Sequence, residues 1–208
     1  PFQEDPVSGD ARVAGTTASL CGVERAIQDV NEDEMDMAVR RILLLHGIIM
    51  TIGGIPLLYL GDEIGLLNDY DYEKDPEKIG DTRWVNRPAF DWAQAEQRGD
   101  SDTLQGKIFQ GLLRLRQIRQ QNLAFTRAET EIIDTGNAHV FCYFRLHNDQ
   151  NVLVLANFCD KQQVIAASHL RLLGLRKTLT DIVAGRTIVA TQQLEMESYQ
   201  LMVLLSVR

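Results

Sequence analysis

Hydrophobic residues recur at intervals of three and four in two stretches of the chain, and both stretches predict helices. The first runs from Met35 to Ile52 and has enough additional apolar residues to widen its buried face. Asp33 and Glu34 suit the positive end of this helix, and Gly53-Gly54 is expected to end it. The second runs from Asp102 to Gln121. The apolar positions that define the two faces are Met35, Val39, Ile42, Leu45, Ile49 and Ile52, and Leu104, Ile108, Leu112, Leu115 and Ile118.

The run from Ile55 to Leu60 is short and continuously apolar, which is typical of a parallel strand covered on both faces. Together with the preceding helix and its glycine turn, it predicts an α/β unit. Residues 42–60 are also long enough to cross a bilayer. Gly53-Gly54 and Pro56 divide this stretch, however, so no membrane span is expected.

Residues 61–101 show no periodicity and are rich in Asp, Asn, Gly and aromatic side chains. Loops of this length inside compact domains are usually functional or disordered, and the aromatic residues favour order. In parallel α/β folds ligands bind beyond the carboxyl ends of the strands, so function is expected in the loop that Gly61-Asp62-Glu63 opens. Its carboxylates, amides and rings suit a polyhydroxylated ligand, although an ordinary surface loop can have the same composition.

From Glu131 onwards the pattern changes to short strand-like runs separated by polar turns, which predicts an antiparallel β-sandwich. A domain boundary is expected near residues 122–128, which divides the chain into domains 1–124 and 125–208. The predicted runs are Val140 to Leu146, Val152 to Phe158, Val164 to Ala167, Thr187 to Ala190 and Tyr199 to Leu205.

Charge and cysteine content exclude several functions. The formal net charge of −8 argues against a nucleic-acid surface, which needs clustered Lys and Arg. The three cysteines form no Cys-x-x-Cys pair, so buried thiols are expected rather than a zinc site or disulfides.

Asp69-Tyr70-Asp71 lacks the glycine and glutamate of a calcium loop, so neither a metal nor a cofactor is expected. No signal peptide is visible at the start of the sequence, which favours a cytoplasmic location.

Two groups in the loop are candidates for chemistry. Asp62 and Glu63 are adjacent carboxylates, but neighbours on an extended chain point in opposite directions, whereas the carboxyl groups of a glycosidase face each other about 5–9 Å apart. A structural role is therefore expected for this pair. Arg83 could bind a carboxylate deep in a pocket or form an ordinary surface ion pair. The four histidines have no nucleophile nearby in sequence and are expected to be structural.

The string from Gly53 to Gly65, GGIPLLYLGDEIG, resembles the eighth barrel strand of the α-amylase family, glycoside hydrolase family 13. Within that family the chain is most similar to the amylosucrases, in strings that occur in the expected order and cover nearly the whole chain. These strings are Pro1-Phe2-Gln3, Ser8 to Val13, Leu67-Asn68-Asp69-Tyr70, and Asp81-Thr82-Arg83-Trp84 with Arg87-Pro88.

This resemblance implies an α/β plus all-β fold: the C-terminal end of a (β/α)8 TIM barrel followed by an antiparallel β-sandwich. It implies sucrose and α-glucan oligosaccharides as partners, because amylosucrases cleave sucrose with retention and transfer glucose to an α-1,4-glucan. It also implies that Arg83 matches the arginine that pairs with an aspartate of an earlier loop and closes the glucosyl pocket. Arg12 and Gln3 match residues on the acceptor side.

The resemblance places the catalytic carboxylates after the fourth, fifth and seventh barrel strands, upstream of Pro1. No catalytic residue is therefore expected in this chain, which should be inactive alone and could form a homo-oligomer through exposed barrel edges. Three alternatives stay open at this point: a sucrose hydrolase, another α-amylase-family glycosidase, or a noncatalytic sugar-binding or assembly module.

Overall fold

The computed structural model describes residues 5–11, 13–147, 150–173 and 178–206, without the side chains at positions 127, 150 and 206. Its residues cluster into two compact units. The first comprises residues up to 42 together with 58–110, and the second comprises 43–57 together with the residues from 111 onwards. The division into domains 1–124 and 125–208 stays a prediction, because two long helices each contribute to both units.

Those two helices are the ones that the apolar periodicity predicts, and both are confirmed. Among the described residues, no helix is both long and apolar enough to span a membrane. The helices are α1 (Thr17–Leu20), α2 (Val23–Gln28), α3 (Glu32–Thr51), α4 (Trp92–Glu96), α5 (Leu104–Gln121), α6 (Ala124–Arg127) and α7 (Ala167–Leu172), with 3-10 turns at Asp62–Ile64, Asp71–Lys74, Thr82–Asn86 and Gln97–Gly99.

Helix α3 begins and ends as its sequence predicts. The Asn31 side chain accepts a hydrogen bond from the Glu34 amide at 3.1 Å, and the first turn is acidic. Beyond its last residue, Gly53 and Gly54 have φ of 118° and 69°, a left-handed conformation that glycine adopts readily. The predicted buried face is only partly correct, since Leu45 and Ile49 are 38% and 37% exposed.

The predicted parallel strand from Ile55 to Leu60 is not present. The segment has an irregular conformation, and the exposed fractions of Ile55, Leu57 and Leu60 are 97%, 73% and 64%. A strand exists only where neighbouring strands satisfy its backbone groups. All eight strands in the described ranges lie between residues 129 and 206, and they pair with one another in two sheets. The TIM-barrel part of the predicted fold is therefore not shown by the structure.

The second unit contains a six-stranded antiparallel sheet and a separate two-stranded one, which confirms the predicted antiparallel architecture. The large sheet has the order β1-β2-β3-β8-β5-β6, and the small sheet pairs β4 with β7. The strands are β1 (Glu129–Ile133), β2 (Val140–His147), β3 (Gln150–Asn157), β4 (Gln163–Ile165), β5 (Thr178–Asp181), β6 (Arg186–Val189), β7 (Leu194–Met196) and β8 (Leu201–Ser206).

The core of this unit is built by alternate residues of the strands. In β3, for example, Leu153 and Leu155 belong to one continuous buried cluster that also includes Leu179 of β5 and Met196 of β7. Leu170 of α7 belongs to the same cluster and is 1% exposed. The small sheet and α7 thus share their buried residues with one face of the large sheet, which makes this region a self-contained core.

Two arginines of the second unit hold the C-terminal end of α3. Arg119 donates to the carbonyl oxygens of Met50 and Gly54 at 2.6 and 2.8 Å. Arg145, which is 3% exposed, donates to Ile52 O at 2.8 Å and also to the hydroxyl of Thr130. Cations favour the negative end of a helix, where the last carbonyl groups have no partner within the helix. The point at which the chain leaves α3 is therefore fixed.

Candidate functional site

A small open cleft lies in the first unit, at the start of the long loop. Its volume is about 120 Å³. It combines hydroxyl groups, an amide and one carboxylate, the groups that bind a polyhydroxylated molecule. The lining residues are Gly15, Thr16, Thr17, Tyr59, Leu60, Gly61, Asp62, Leu66 and Asn86. With Asp62 as its one carboxylate among the described residues, the cleft has no acid and nucleophile pair of the kind that cleaves a glycosidic bond.

Part of the cleft lining is a tight turn that depends on Gly61. This residue has φ of 97°, and a Cβ atom there would lie 2.6 Å from Leu66 Cδ1. The carboxylates of Asp62 and Glu63 both accept backbone N–H groups of the turn, from Tyr59 at 3.2 Å and from Gly61 at 2.8 Å. The expected structural role of the two adjacent carboxylates is thereby confirmed.

A hydrogen-bonded network connects the loop to the segment around α1. Glu24 accepts from the Ser19 hydroxyl at 2.8 Å and from the Tyr70 hydroxyl at 2.8 Å. The amide side chain of Asn68 donates to Tyr70 Oη at 2.9 Å and accepts from the Thr16 N–H at 2.8 Å. Because Thr16 lines the cleft, this network fixes one of its walls. A network in which each donor has an acceptor makes a site rigid.

Arg83 lies in the 3-10 turn Thr82–Asn86, which also contributes Asn86 to the cleft, but Arg83 itself is not among the lining residues. It forms a two-point ion pair with Asp81: Nε and Nη2 donate to Oδ1 and Oδ2, both at 2.8 Å. The hydrogen bonds from Arg83 lower the pKa of the Asp81 carboxyl to about 2, so the pair stays ionised at ordinary pH. The Arg83 side chain is nevertheless 58% exposed.

The two tryptophans have different environments. Trp84 is half-buried, and the cationic groups of Lys78 and Arg87 lie 5.3 and 5.2 Å from its ring centroid. Trp92 is 75% exposed and touches the ring of Phe90 edge to face, with the centroids 4.8 Å apart. The loop therefore contains one indole with cationic side chains against its ring, Trp84, and one that is largely exposed to solvent, Trp92.

The three residues expected to bind substrate have different outcomes. Arg12 and Gln3 lie outside the described residues, so their predicted role on the acceptor side stays a prediction. Arg83 is described, and its observed partner is Asp81, two residues away, rather than an aspartate of an earlier loop. That part of its predicted role also stays a prediction.

Sequence reasoning missed the contributions of Glu24, Asn68 and Tyr70, because Glu24 and Tyr70 lie 46 positions apart. The string Leu67-Asn68-Asp69-Tyr70 was the available signal, although it did not indicate what the side chains bind. In the described ranges no group of three His, Cys, Asp or Glu side chains is arranged to hold a metal ion. The three cysteines are free, and Cys159 is less buried than predicted.

A family model matches part of the second unit. Residues 136–205 match the cyclo-malto-dextrinase C-terminal domain. This part of the chain is thus similar to the cyclo-malto-dextrinase C-terminal domain, and it contains most of the antiparallel sheet described above.

Curated relatives are similar over longer stretches. The glucosylglycerate phosphorylase of Escherichia coli (strain K12) is 30% identical over 114 residues, which cover 54% of this chain and 20% of the relative. That of Spirochaeta thermophila is 25% identical over 168 residues, covering 77% of this chain and 28% of the relative. The chain thus spans less than a third of the length of these relatives.

Solved structures share the fold at low identity. AmyP in complex with maltose has a TM-score of 0.61 at 18% identity, and covers 83% of this chain with 35% of its own. The α-amylase of Geobacillus thermoleovorans, complexed with acarbose, has a TM-score of 0.62 at 17% identity, with coverages of 84% and 36%. A trehalulose synthase mutant in complex with Tris has a TM-score of 0.60 at 17% identity, with coverages of 80% and 38%. The fold is that of the C-terminal region of amylases.

Proposed function

We propose, starting from the similarity of residues 136–205 to the cyclo-malto-dextrinase C-terminal domain, that the chain is the C-terminal part of an enzyme that cleaves sucrose and transfers glucose to an α-1,4-glucan. The matches to glucoside-active enzymes support the general chemistry. The strings around Asp69 and Arg83 that resemble amylosucrases support the choice of substrate. Sucrose and α-glucan oligosaccharides are the proposed partners.

The ion pair between Arg83 and Asp81 is the observation on which the proposal depends most. A guanidinium has five N–H donors, and the pair uses those on Nε and Nη2. Asp81 therefore orients Arg83 without consuming its capacity to bind a further oxygen. An arginine held in this way loses little conformational entropy when a carboxylate or a sugar hydroxyl binds. Because the Arg83 side chain is exposed, another part of the protein can pack over it and close the glucosyl pocket.

The exposed run at Ile55, Leu57 and Leu60 supports the proposal that a barrel is completed by other residues of the protein. Five of the six side chains from residue 55 to residue 60 are large, apolar or aromatic, and exposed, Pro56 being the exception. Exposed apolar clusters of this kind mark contact surfaces. In the proposed enzyme this run is the eighth barrel strand, and strands outside the described residues satisfy its backbone groups.

A second candidate function has its own support. Both curated relatives quoted above are glucosylglycerate phosphorylases, so the enzyme could transfer glucose to phosphate instead of to a glucan. Both reactions break a glucosidic bond, and they differ in the acceptor. Residues on the acceptor side therefore decide between them, and Arg12 and Gln3 are the ones the resemblance assigns to it.

The test uses a protein in which this chain is joined to its catalytic part. Sucrose is supplied alone, with maltoheptaose, or with inorganic phosphate, and glucose, fructose, longer glucan and glucose 1-phosphate are quantified. The proposal expects fructose in excess of glucose and elongated maltoheptaose. Free glucose equal to fructose in every mixture would instead identify a hydrolase, and a requirement for phosphate would identify a phosphorylase.

The contribution of Arg83 is tested in the same protein by Arg83→Lys. We expect kcat/KM for sucrose to fall by at least tenfold, because a lysine cannot reproduce the two-point geometry. Arg98→Lys is the matched control, since Arg98 is a surface arginine of the same loop that donates to Ala95 O. Equal activity of the two variants would contradict the proposed role of Arg83.

A further inference from the structure

Trp92 and Glu96 of α4 are not among the residues that line the cleft, and both side chains are exposed. Trp92 is 75% exposed, and leaving an indole in water forgoes the free energy that its burial would provide. Of the two tryptophans in the sequence, it is the one with no cation over its ring among the described residues. The part of the ring that Phe90 leaves uncovered is therefore available to a ligand.

The Trp92 ring is supported by its contact with Phe90. Phe90 packs against a small buried cluster formed by Ile64, Leu66 and Ala95, and its ring meets that of Trp92 at an interplanar angle of 67°. Asp91 caps α4 by accepting from the Gln94 N–H at 3.0 Å. A rigid aromatic side chain loses little entropy on binding, which favours its use as a recognition platform.

The chemistry beside the ring selects the class of ligand. Glu96 is exposed and follows Trp92 by four positions in α4, which places the two side chains on the same face of the helix. A carboxylate accepts hydrogen bonds from hydroxyl groups, and it repels anions such as phosphate. An apolar ring face beside a hydrogen-bond acceptor suits a neutral ring that has C–H groups on its face and hydroxyls at its edge.

We propose that Trp92 and Glu96 form an accessory binding site for a pyranose unit of an α-glucan, separate from the cleft. The indole stacks on the C–H face of the sugar, and Glu96 accepts from its hydroxyls. The choice of an α-glucan as the source of that sugar rests on the proposed function. The site holds the polymer without contacting the bond that reacts.

The test measures binding of maltoheptaose to this chain in the Trp84→Phe background, which leaves Trp92 as the sole tryptophan and fluorescent reporter. A saturable change in Trp92 emission is expected, with the same dissociation constant by calorimetry. Trp92→Ala should weaken binding about tenfold in the calorimetric titration, since one stacked aromatic ring contributes on the order of 1.4 kcal/mol. Glu96→Ala should weaken it a few-fold, and Trp92→Phe should retain part of the affinity.

Three results would overturn the proposal: no binding of maltoheptaose, binding that Trp92→Ala leaves unchanged, or a response of Trp92 to tetramethylammonium but not to maltoheptaose. The last would indicate a cation site. Because Trp92 is largely exposed, Trp92→Ala should keep the circular dichroism spectrum and Tm of the parent chain. The assay needs no turnover, so it can succeed when sucrose cleavage fails, and sucrose cleavage can be observed where glucan binding is absent.

Discussion

The hydroxyl oxygens of Thr51 and Tyr143 lie 2.6 Å apart at the end of α3, and both side chains are fully buried. The Thr51 hydroxyl also lies 2.6 Å from the carbonyl oxygen of Gly47, to which it donates its one hydrogen. Tyr143 must therefore be the donor in the bond between the two hydroxyls. Removing the acceptor, Thr51, is therefore expected to have a different effect on stability from removing the donor, Tyr143.

We expect Thr51→Val to cost more stability than Tyr143→Phe. The valine leaves the Tyr143 O–H buried without an acceptor, at a cost of about 2–3 kcal/mol, whereas the phenylalanine removes the donor itself and costs about 1 kcal/mol. Urea denaturation of the two variants, each compared with the parent chain, measures the difference. A larger loss for Tyr143→Phe would show that the assigned donor is wrong.

Removing the buried cation of β2 should be strongly destabilising. Arg145 donates to Ala124 O at 3.1 Å as well as to Ile52 O, and Arg145→Met keeps the apolar stem but leaves those acceptors without their charged donor. The expected loss in the free energy of unfolding is about 3 kcal/mol. Arg114→Met is the matched control, because Arg114 is exposed and donates to Ile182 O at 2.8 Å.

For that control we expect a loss below about 1 kcal/mol. Similar losses for the two arginines, measured by urea denaturation under the same conditions, would mean that burial of Arg145 contributes nothing to its importance.

Stability should depend on the protonation of Asp181 in β5. Its side chain is fully buried, and Oδ2 has no hydrogen-bond partner in the described ranges, with Arg186 Nε 3.9 Å away. Burial raises the pKa of this carboxyl above 3.8. The folded state then holds the proton more tightly than the unfolded state, so the Asp181 contribution to stability is lost as the pH rises from 3.8 through the folded-state pKa.

Asp181→Asn removes this titration. The difference in unfolding free energy between the variant and the parent chain should therefore change in the variant's favour as the pH rises through that window, which urea denaturation at a series of pH values measures. If the unfolding free energies of the variant and the parent chain changed in parallel with pH, the raised pKa of Asp181 would be contradicted.

Val30 has an unfavourable backbone conformation between α2 and α3. Its φ is 49°, its side chain is 89% exposed, and a β-branched residue is disfavoured in this left-handed region. Val30→Gly should raise the free energy of unfolding by about 1 kcal/mol, because relief of the strain exceeds the entropic cost of glycine. Val7→Gly is the control: Val7 is 94% exposed and has no positive φ, so that variant should not gain stability. Thermal unfolding of both variants and of the parent chain measures the difference, and an equal gain for Val7→Gly would contradict the strain at Val30.

The sequence predicted those parts of the fold that depend on local periodicity. Both long helices carry a repeated apolar pattern, β2 shows a run rich in aromatic residues, and β3 shows a continuous run of Val, Leu and Ala. The run at Ile55 to Leu60 forms no strand among the described residues, because a parallel strand depends on partner strands that its own residues do not specify. The three-residue strand Leu194–Met196 was missed because so short a run carries no pattern.

The candidate site was predicted less completely for a similar reason. The adjacency of Asp62 and Glu63 was enough to predict a structural role, because neighbouring side chains on an extended chain point in opposite directions. The bond between Glu24 and Tyr70 joins distant segments, which no local pattern reports. The exposure of Trp92 depends on how Phe90 packs, and composition alone does not determine packing.

Arg119 and Arg145 have a consequence for the order in which the protein assembles. Their bonds to the carbonyl groups at the end of α3 span 69, 65 and 93 positions of sequence. During synthesis from the N-terminus, the apolar run that follows α3 leaves the ribosome before either guanidinium has been made. Contacts of such high sequence separation form slowly. Nascent chains are therefore most vulnerable to chaperone capture and aggregation in the interval before Arg145 emerges.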